Sequence, residues 1–340
     1  MAGTAFHSSL AVSRWSSTLL REAEKQIYFK PFMGKNRDPN AIIHNVDDLN
    51  HKRGKDITFG LIMLLSGDGT QDNQVMEGNE EAMDTYPQTV TLGRRRNAVR
   101  DEGEFEDQKF MINFRREARG KLAIWLAEII DQDIFTALSA SPTRSLADDS
   151  GGFASFEFNI ADPKANLDAD DVVSSAGISA LKRLAKVPIG SDEVKIRPVK
   201  IKGRSYWVLI LHPDSAYDWK QSSTWTQAQR EAQLRGGENP IFSGALGIWD
   251  GVVIHEHEDV TTFDDGGGAA VHGAINLFLG AQSVVFARNK KPKWVEKKFD
   301  YDDKVGIAVA LIYGYAKTLF NSEDFATIAY YTGASAFAAS

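Results

Sequence analysis

Asn239-Pro-Ile-Phe-Ser-Gly-Ala-Leu-Gly-Ile-Trp-Asp-Gly-Val-Val-Ile-His255 is the stretch on which the fold turns, and it takes its meaning from a second one, the charged loop Gly67 to Arg100. That loop fits no compact core. Ser66 to Tyr86 carries six acids (Asp68, Asp72, Glu77, Glu80, Glu81 and Asp84) and no base, whereas Thr89 to Arg100 carries four arginines (Arg94, Arg95, Arg96 and Arg100) and no acid. An extended acidic arm paired with an extended basic arm predicts a two-stranded ribbon projecting from the body. An isolated hairpin is at best marginally stable in water, so the ribbon wants a partner surface.

Composition sets the outer bounds. A compact monomer of this length would expose roughly 14,000 Å². The 340 residues are 43% hydrophobic and 25% charged, the proportions of a soluble globular chain. With 39 Lys+Arg against 46 Asp+Glu the net charge is −7, which argues against a protein whose main task is to coat nucleic acid by neutralising phosphates. The absence of cysteine excludes disulfides, thiolate metal sites and cysteine nucleophiles. Met1 to Ser17 lacks the basic and apolar regions of a signal peptide, and the longest apolar run, Val305 to Ala316, is interrupted by Gly306 and Gly314. No membrane partner is expected.

Outward from the loop, the chain divides by texture. Residues 1–55 read as an arm: Trp15, Leu19, Ala23 and Ile27 step by four in a helix over Ser13 to Lys30, but the apolar content is too sparse to close a core. Ile57 to Leu65 is strand-like, and 56–103 is the extended loop. Glu104 to Leu138 predicts a long helix whose face is Met111, Phe114, Ala118, Leu122, Trp125 and Ile129, with acids at the end the helix dipole favours. Asp168 to Lys186 predicts a second helix. Strands are expected at Ile196 to Ile201, Tyr206 to Leu211, Ser283 to Ala287 and Val305 to Ala316, and helical character at Trp225 to Leu234.

The opening stretch, Tyr206-Trp-Val-Leu-Ile-Leu-His-Pro213, Glu77-Gly-Asn-Glu-Glu81, Asp131-Gln-Asp-Ile-Phe135 and Phe320-Asn-Ser-Glu-Asp-Phe325 together resemble the major capsid proteins of N-four-like tailed bacteriophages. The resemblance runs in order over nearly the whole chain. It implies an α+β chain of the Hong Kong 97-type capsid fold: an N-terminal arm (1–55), an extended loop (56–103), a peripheral domain with a spine helix (104–146), an axial domain (147–278) and return strands to the peripheral domain (279–340). It implies self-assembly through pentamers and hexamers into the icosahedral head of a tailed double-stranded DNA phage, in the virion, after assembly in the host bacterial cytoplasm. Scaffold, portal and decoration proteins are the implied partners, and the scaffold is expected as a separate protein because the chain starts directly with its arm. Some members of the fold crosslink through a lysine of the extended loop. Between Asp56 and Gln108 this chain has no lysine, so that chemistry is excluded.

Within this reading the site residues form a subunit interface: Glu77, Glu80 and Glu81 face Arg94, Arg95, Arg96 and Arg100 of the same or a neighbouring subunit. Arg288 to Lys298, with Lys290, Lys291, Lys293, Lys297 and Lys298, is a candidate DNA-facing patch for non-specific phosphate contact, against the commoner explanation of a solvated loop. A nanocompartment shell of the same fold is the alternative, distinguished by protein cargo in place of DNA. The alternative from another class is a metal-dependent enzyme using His255 and His257, since alternate strand residues share a face. Against it, Val252 to Ile254 read as buried and His255 to Glu258 as the solvated strand end. Asp68 to Asp72 fails as a calcium loop because Asn73 occupies the glycine position. No phosphate-cradle or nucleophile motif occurs, so neither catalytic residue, metal nor cofactor is expected.

Overall fold

A computed structural model describes residues 19, 22–23, 26–35, 38–46, 54–62, 69–72, 75–80, 85–102, 114–148, 156–189, 194–201, 203–223, 225, 245–267, 270–289, 292–301 and 303–334. The strands in chain order are β1 (Ile43–Val46), β2 (Asp56–Ile62), β3 (Thr85–Thr91), β4 (Gly93–Arg100), β5 (Ser145–Asp148), β6 (Phe156–Phe158), β7 (Val199–Ile201), β8 (Arg204–Leu211) and β9 (Gly247–Trp249). They continue as β10 (Val252–Glu256), β11 (Thr262–Gly266), β12 (Val271–Leu279), β13 (Val284–Arg288), β14 (Lys293–Phe299), β15 (Lys304–Lys317), β16 (Leu319–Phe320), β17 (Glu323–Asp324) and β18 (Thr327–Gly333).

Two sheets organise the body. A five-stranded sheet runs β1-β13-β15-β14 with β4 also paired to β15, and a nine-stranded sheet runs β6-β5-β18-β12-β8-β10-β9 with β11 and β7 at its margins. The long helix Phe114–Ser139, 26 residues and so about 39 Å at 1.5 Å per residue, spans both. Its buried face steps by four through Leu122, Leu126, Ile130, Ile134 and Leu138. One core cluster joins that face to Ile307, Val309 and Leu311 of β15 and to Val208, Ile210 and Val253 of the larger sheet. The opposite face of the larger sheet is covered by the second helix, Ser175–Lys186, through Ile178, Leu181 and Leu184. A short third helix, Pro213–Gln221, follows β8.

The predicted spine is real and its face is rotated by about one residue. Trp125 and Ile129 are half-buried flanks, and Leu126 and Ile130 are the core; residues 104–113 of the predicted helix lie outside the described residues. The second helix begins later than Asp168 because Asp171 turns its carboxylate onto the Asp168 N–H at 2.7 Å, a local bond that competes with helix. Ser174 then caps the helix, accepting from the Gly177 N–H at 3.0 Å. Of the predicted arm helix only Leu19, Glu22, Ala23 and Gln26 are described as helical, and of Trp225 to Leu234 only Trp225 is described.

The ribbon exists, but its strands are not the acidic and basic arms. β2 pairs with β3 antiparallel from Asp56↔Thr91 to Ile62↔Thr85, so the acidic stretch is the hairpin's end. The arginines lie on β4, which joins the body by pairing with β15 from Gly306↔Arg100 to Tyr313↔Gly93. The reason is backbone pairing: β15 gives β4 an eight-residue antiparallel ladder along its edge, although the side chains of β4 stay mostly exposed, whereas an acid–arginine ladder in water would gain little. The segment 279–340, expected to return wholly to the peripheral domain, divides between the two sheets: β13 to β15 lie in the five-stranded sheet, but β18 lies inside the larger one between β12 and β5. Its seven residues are all buried, as a strand covered on both faces requires.

Candidate functional site

The sequence kept the β4 arginines and the β14 lysines apart; the sheet brings them together. Residues directly opposite on antiparallel strands share a face. Arg96 and Lys293 both sit opposite Ala310, and Arg100 and Lys297 both sit opposite Gly306, with Ala98 and Val295 flanking Ala308 between them. Arg94 lies opposite Ile312 on the same face. The result is a shallow floor of Gly306, Ala308 and Ala310 on β15 between two rows of cations.

Both ends of this floor are closed. At one end the Phe299 ring lies between the Arg100 guanidinium, 4.7 Å from its centroid, and the Lys297 ammonium at 4.8 Å. A side chain on Gly306 would strike this ring at 2.8 Å. At the other end the ribbon's root crosses the sheet, where Val90 and Leu92 pack with Ile57, Val46, Val285 and Ala287. Gly314 permits that crossing, since a Cβ there would lie 2.7 Å from the Thr91 carbonyl oxygen. Gln88 fixes the root further, donating to the Lys317 carbonyl at 2.6 Å and accepting the Leu319 N–H at 3.1 Å.

Arg95 faces the other way, as strand alternation requires. Its guanidinium meets Asp133 of the spine helix at 2.7 Å, and the Tyr313 hydroxyl donates to the other oxygen of the same carboxylate at 2.5 Å. Arg95 therefore fastens β4 to the spine, with about half of its side chain still exposed. Arg94 and Arg96 have no acidic partner among the described residues. Of the lysine patch, Lys298 also points away from the Lys293 and Lys297 face, and Lys290 and Lys291 lie outside the described residues.

The acids are placed apart from these cations. Residues 75–80 form a turn held by Asn79 N–H to the Met76 carbonyl at 3.0 Å and Gly78 N–H to Glu80 Oε2 at 2.7 Å. Val75 and Met76 are 67% and 70% exposed there, beside exposed Glu77 and Glu80. Glu81 lies outside the described residues. Two apolar side chains held in water beside acids are a surface that favours a partner, which charge reading alone had missed.

His255 and His257 are structural neighbours of aromatic rings. The β9–β10 hairpin turns at Asp250 and Gly251, both with positive φ (47° and 80°), as a two-residue hairpin loop requires. His255 is 2% exposed, not solvated as the strand-end reading supposed, and its ring lies edge-on to Phe32 at 5.1 Å. The His257 ring is 4.2 Å from Tyr28 and 4.8 Å from Phe135, and its Nδ1 accepts the Asp259 N–H at 3.1 Å. Burial holds the His257 imidazole below its ordinary pKa. Among the described residues no group of three or more His, Asp or Glu is arranged to hold a metal ion. Asn239 to Gly244 of the opening stretch lie outside the described residues.

Known proteins show the same architecture. Residues 3–336 match the family described as phage capsid protein. The chain is 31% identical over 362 aligned positions to the major capsid protein of Pseudomonas phage KPP25, covering 94% of each. It is similar to the capsid of Ralstonia phage GP4, with 27% identity, 93% of each chain covered and a TM-score of 0.77. The Cyanophage Pam1 capsid shares the fold at 20% identity, with 98% of this chain and 94% of that one covered and a TM-score of 0.73. Since the family match runs almost end to end and solved phage capsids share the fold over more than nine-tenths of the chain, the chain belongs to the phage capsid protein family and has the Hong Kong 97-type fold.

Proposed function

We propose that this shell-forming capsid subunit builds the icosahedral head of a tailed phage around double-stranded DNA, through pentamers and hexamers held by surface complementarity. The carrying observation is the pairing of a ribbon that projects acids and exposed apolar side chains with a sheet face that presents Arg94, Arg96, Arg100, Lys293 and Lys297 over a floor of small residues. Each half lacks its complement among the described residues of its own chain, and copies of the chain supply it.

In this reading Glu77, Glu80 and Glu81 of one subunit meet Arg94, Arg96 and Arg100 of a neighbour. Residues 1–55 act as the arm, 56–103 as the extended loop, 104–146 with β13 to β15 as the peripheral domain, and 147–278 with β18 as the axial domain. Assembly takes place in the host bacterial cytoplasm with a separate scaffold, a portal and decoration proteins, and the finished subunit resides in the virion capsid. Lys293 and Lys297 are assigned to the subunit contact in preference to DNA because they share their face with the arginines. The test is Arg94→Glu with Arg96→Glu, leaving Arg95 in place. A folded subunit that no longer forms shells supports the interface; normal shells remove it.

A further inference from the structure

Where the arm crosses the spine helix, a buried carboxylate holds it. Asp131 accepts the Tyr28 N–H at 2.8 Å on one oxygen and the Phe29 N–H at 3.3 Å on the other, and is 4% exposed. The surrounding rings come from three parts of the molecule. Phe29 lies 4.7 Å from Phe135 of the spine, Tyr28 lies 4.2 Å from His257 just past β10, and Phe32 lies 5.1 Å from His255 of β10. No cation pairs with Asp131 among the described residues. The titratable groups around it are Tyr28 from the arm, Asp259 from the turn after β10, and His255 and His257 across the Tyr28 ring.

We propose that this junction is an acid-set clasp, in which proton uptake by Asp131 tightens the hold of the spine helix on the arm turn Tyr28–Phe32 and proton loss loosens it. An ionised carboxylate here is buried against aromatic rings with two N–H dipoles for compensation and Asp259 as a repelling neighbour. Burial is the larger effect and pushes the Asp131 carboxyl up to about 7, with the Tyr28 and Phe29 N–H groups opposing and Asp259 adding to the rise. Burial also holds the His257 imidazole below its ordinary value, which withholds a countercharge near neutral pH, and keeps the Tyr28 phenol above its own, so that it stays neutral. With the arm released, Asp131 meets water and titrates as an ordinary carboxylate. The clasped state therefore binds the proton more tightly, and linkage strengthens it as pH falls from about 7 toward the carboxylate range. One proton changes the clasped-to-released ratio by at most about tenfold per pH unit.

The junction lies within one chain, so it can be tested on the unassembled subunit, independently of the shell reading. Hydrogen exchange of the peptide 27–33 is measured at pH 8 and pH 5.5 and corrected for the intrinsic pH dependence of exchange. The expected result is protection higher at the lower pH on the order of tenfold, with the rise abolished in Asp131→Asn. Protection that is unchanged or lower on acidification overturns the clasp, as does an equal rise in Asp131→Asn. Should that variant not fold, the wild-type profile decides alone.

Discussion

Replacing Lys317 with methionine should destabilise the subunit far more than any surface charge change, because Lys317 completes a buried knot at the junction of spine and sheets. Its ammonium lies 2.6 Å from Asp324 Oδ1, with side-chain exposures of 8% and 0%. It also donates to the Ala140 carbonyl at 2.9 Å and the Ser141 carbonyl at 3.3 Å, just past the end of the spine helix. Asp324 Oδ2 accepts the Thr143 N–H at 2.9 Å, but Oδ1 meets the ammonium off the line of a well-aligned hydrogen bond and has Lys317 as its counter-charge. Methionine matches the length and apolar bulk, so packing is largely kept while a buried carboxylate loses its cation and two carbonyls lose a donor. Breaking one side of such a pair costs about 3–5 kcal/mol. Lys317→Met with Asp324→Leu leaves no unpaired charge. It forfeits the bonds from the Thr143 and Arg144 N–H groups, at 2.9 and 3.5 Å, worth about 1 kcal/mol each and less than the cost of the unpaired charge, so the double variant should be more stable than the single one. Urea unfolding of the unassembled subunit, followed by tryptophan fluorescence, measures both. A loss below about 1 kcal/mol for Lys317→Met, or a double variant less stable than the single, would refute the reasoning that the charge is held by its partner.

Gly314→Val should force the ribbon root off the sheet, because the added carbons meet the Thr91 carbonyl; overpacking of this kind costs about 1–3 kcal/mol, and limited proteolysis at 56–100 should accelerate. Leu126→Ala, at the centre of the spine's buried face, should cost about 2–5 kcal/mol in the same urea assay, and a loss under 1 would place the core elsewhere. The His272 imidazole bridges Asp264 and Asp214, at 2.6 and 3.2 Å, and its bond to Asp264 leads the effects that raise its pKa above the ordinary value. A raised histidine contributes stability that is full below the unfolded value near 6.5 and lost as pH rises through the folded one. Wild-type stability should therefore fall across that range relative to His272→Gln, and parallel pH profiles would exclude the contribution.

How much of this was legible before the structure depends on range. The spine was readable because a 3.6-residue period over many turns survives averaging, but the exact face was not. Trp125 and Ile129 are as apolar as Leu126 and Ile130, and only the sheets beneath decide which pair is covered. Strand pairing was the larger miss. The charge pattern at Glu77 and Arg94 suggested that they pair within one ribbon, whereas β4 gains more by pairing with β15, some 200 residues away in sequence. The position of β18 was hidden for the same reason, since a buried strand reads alike in either sheet. Arg95 illustrates the limit within a single run: Arg94, Arg95 and Arg96 are identical in type, and strand alternation alone assigns one to Asp133 and two to the outer face. Met76 carried no signal, and Asp131 stood in a stretch of the family resemblance with nothing to mark its contact with the arm, because both roles come from exposure and burial that the sequence does not encode locally.

The central claim is that copies of this chain close into a shell, and sedimentation velocity of the purified chain, alone and with a candidate scaffold protein, with electron microscopy of the fast fraction, tests it most directly. The account predicts capsomers and closed icosahedral particles of megadalton mass, lost in the Arg94→Glu, Arg96→Glu variant. A chain that remains a monomer or dimer with scaffold present would contradict it.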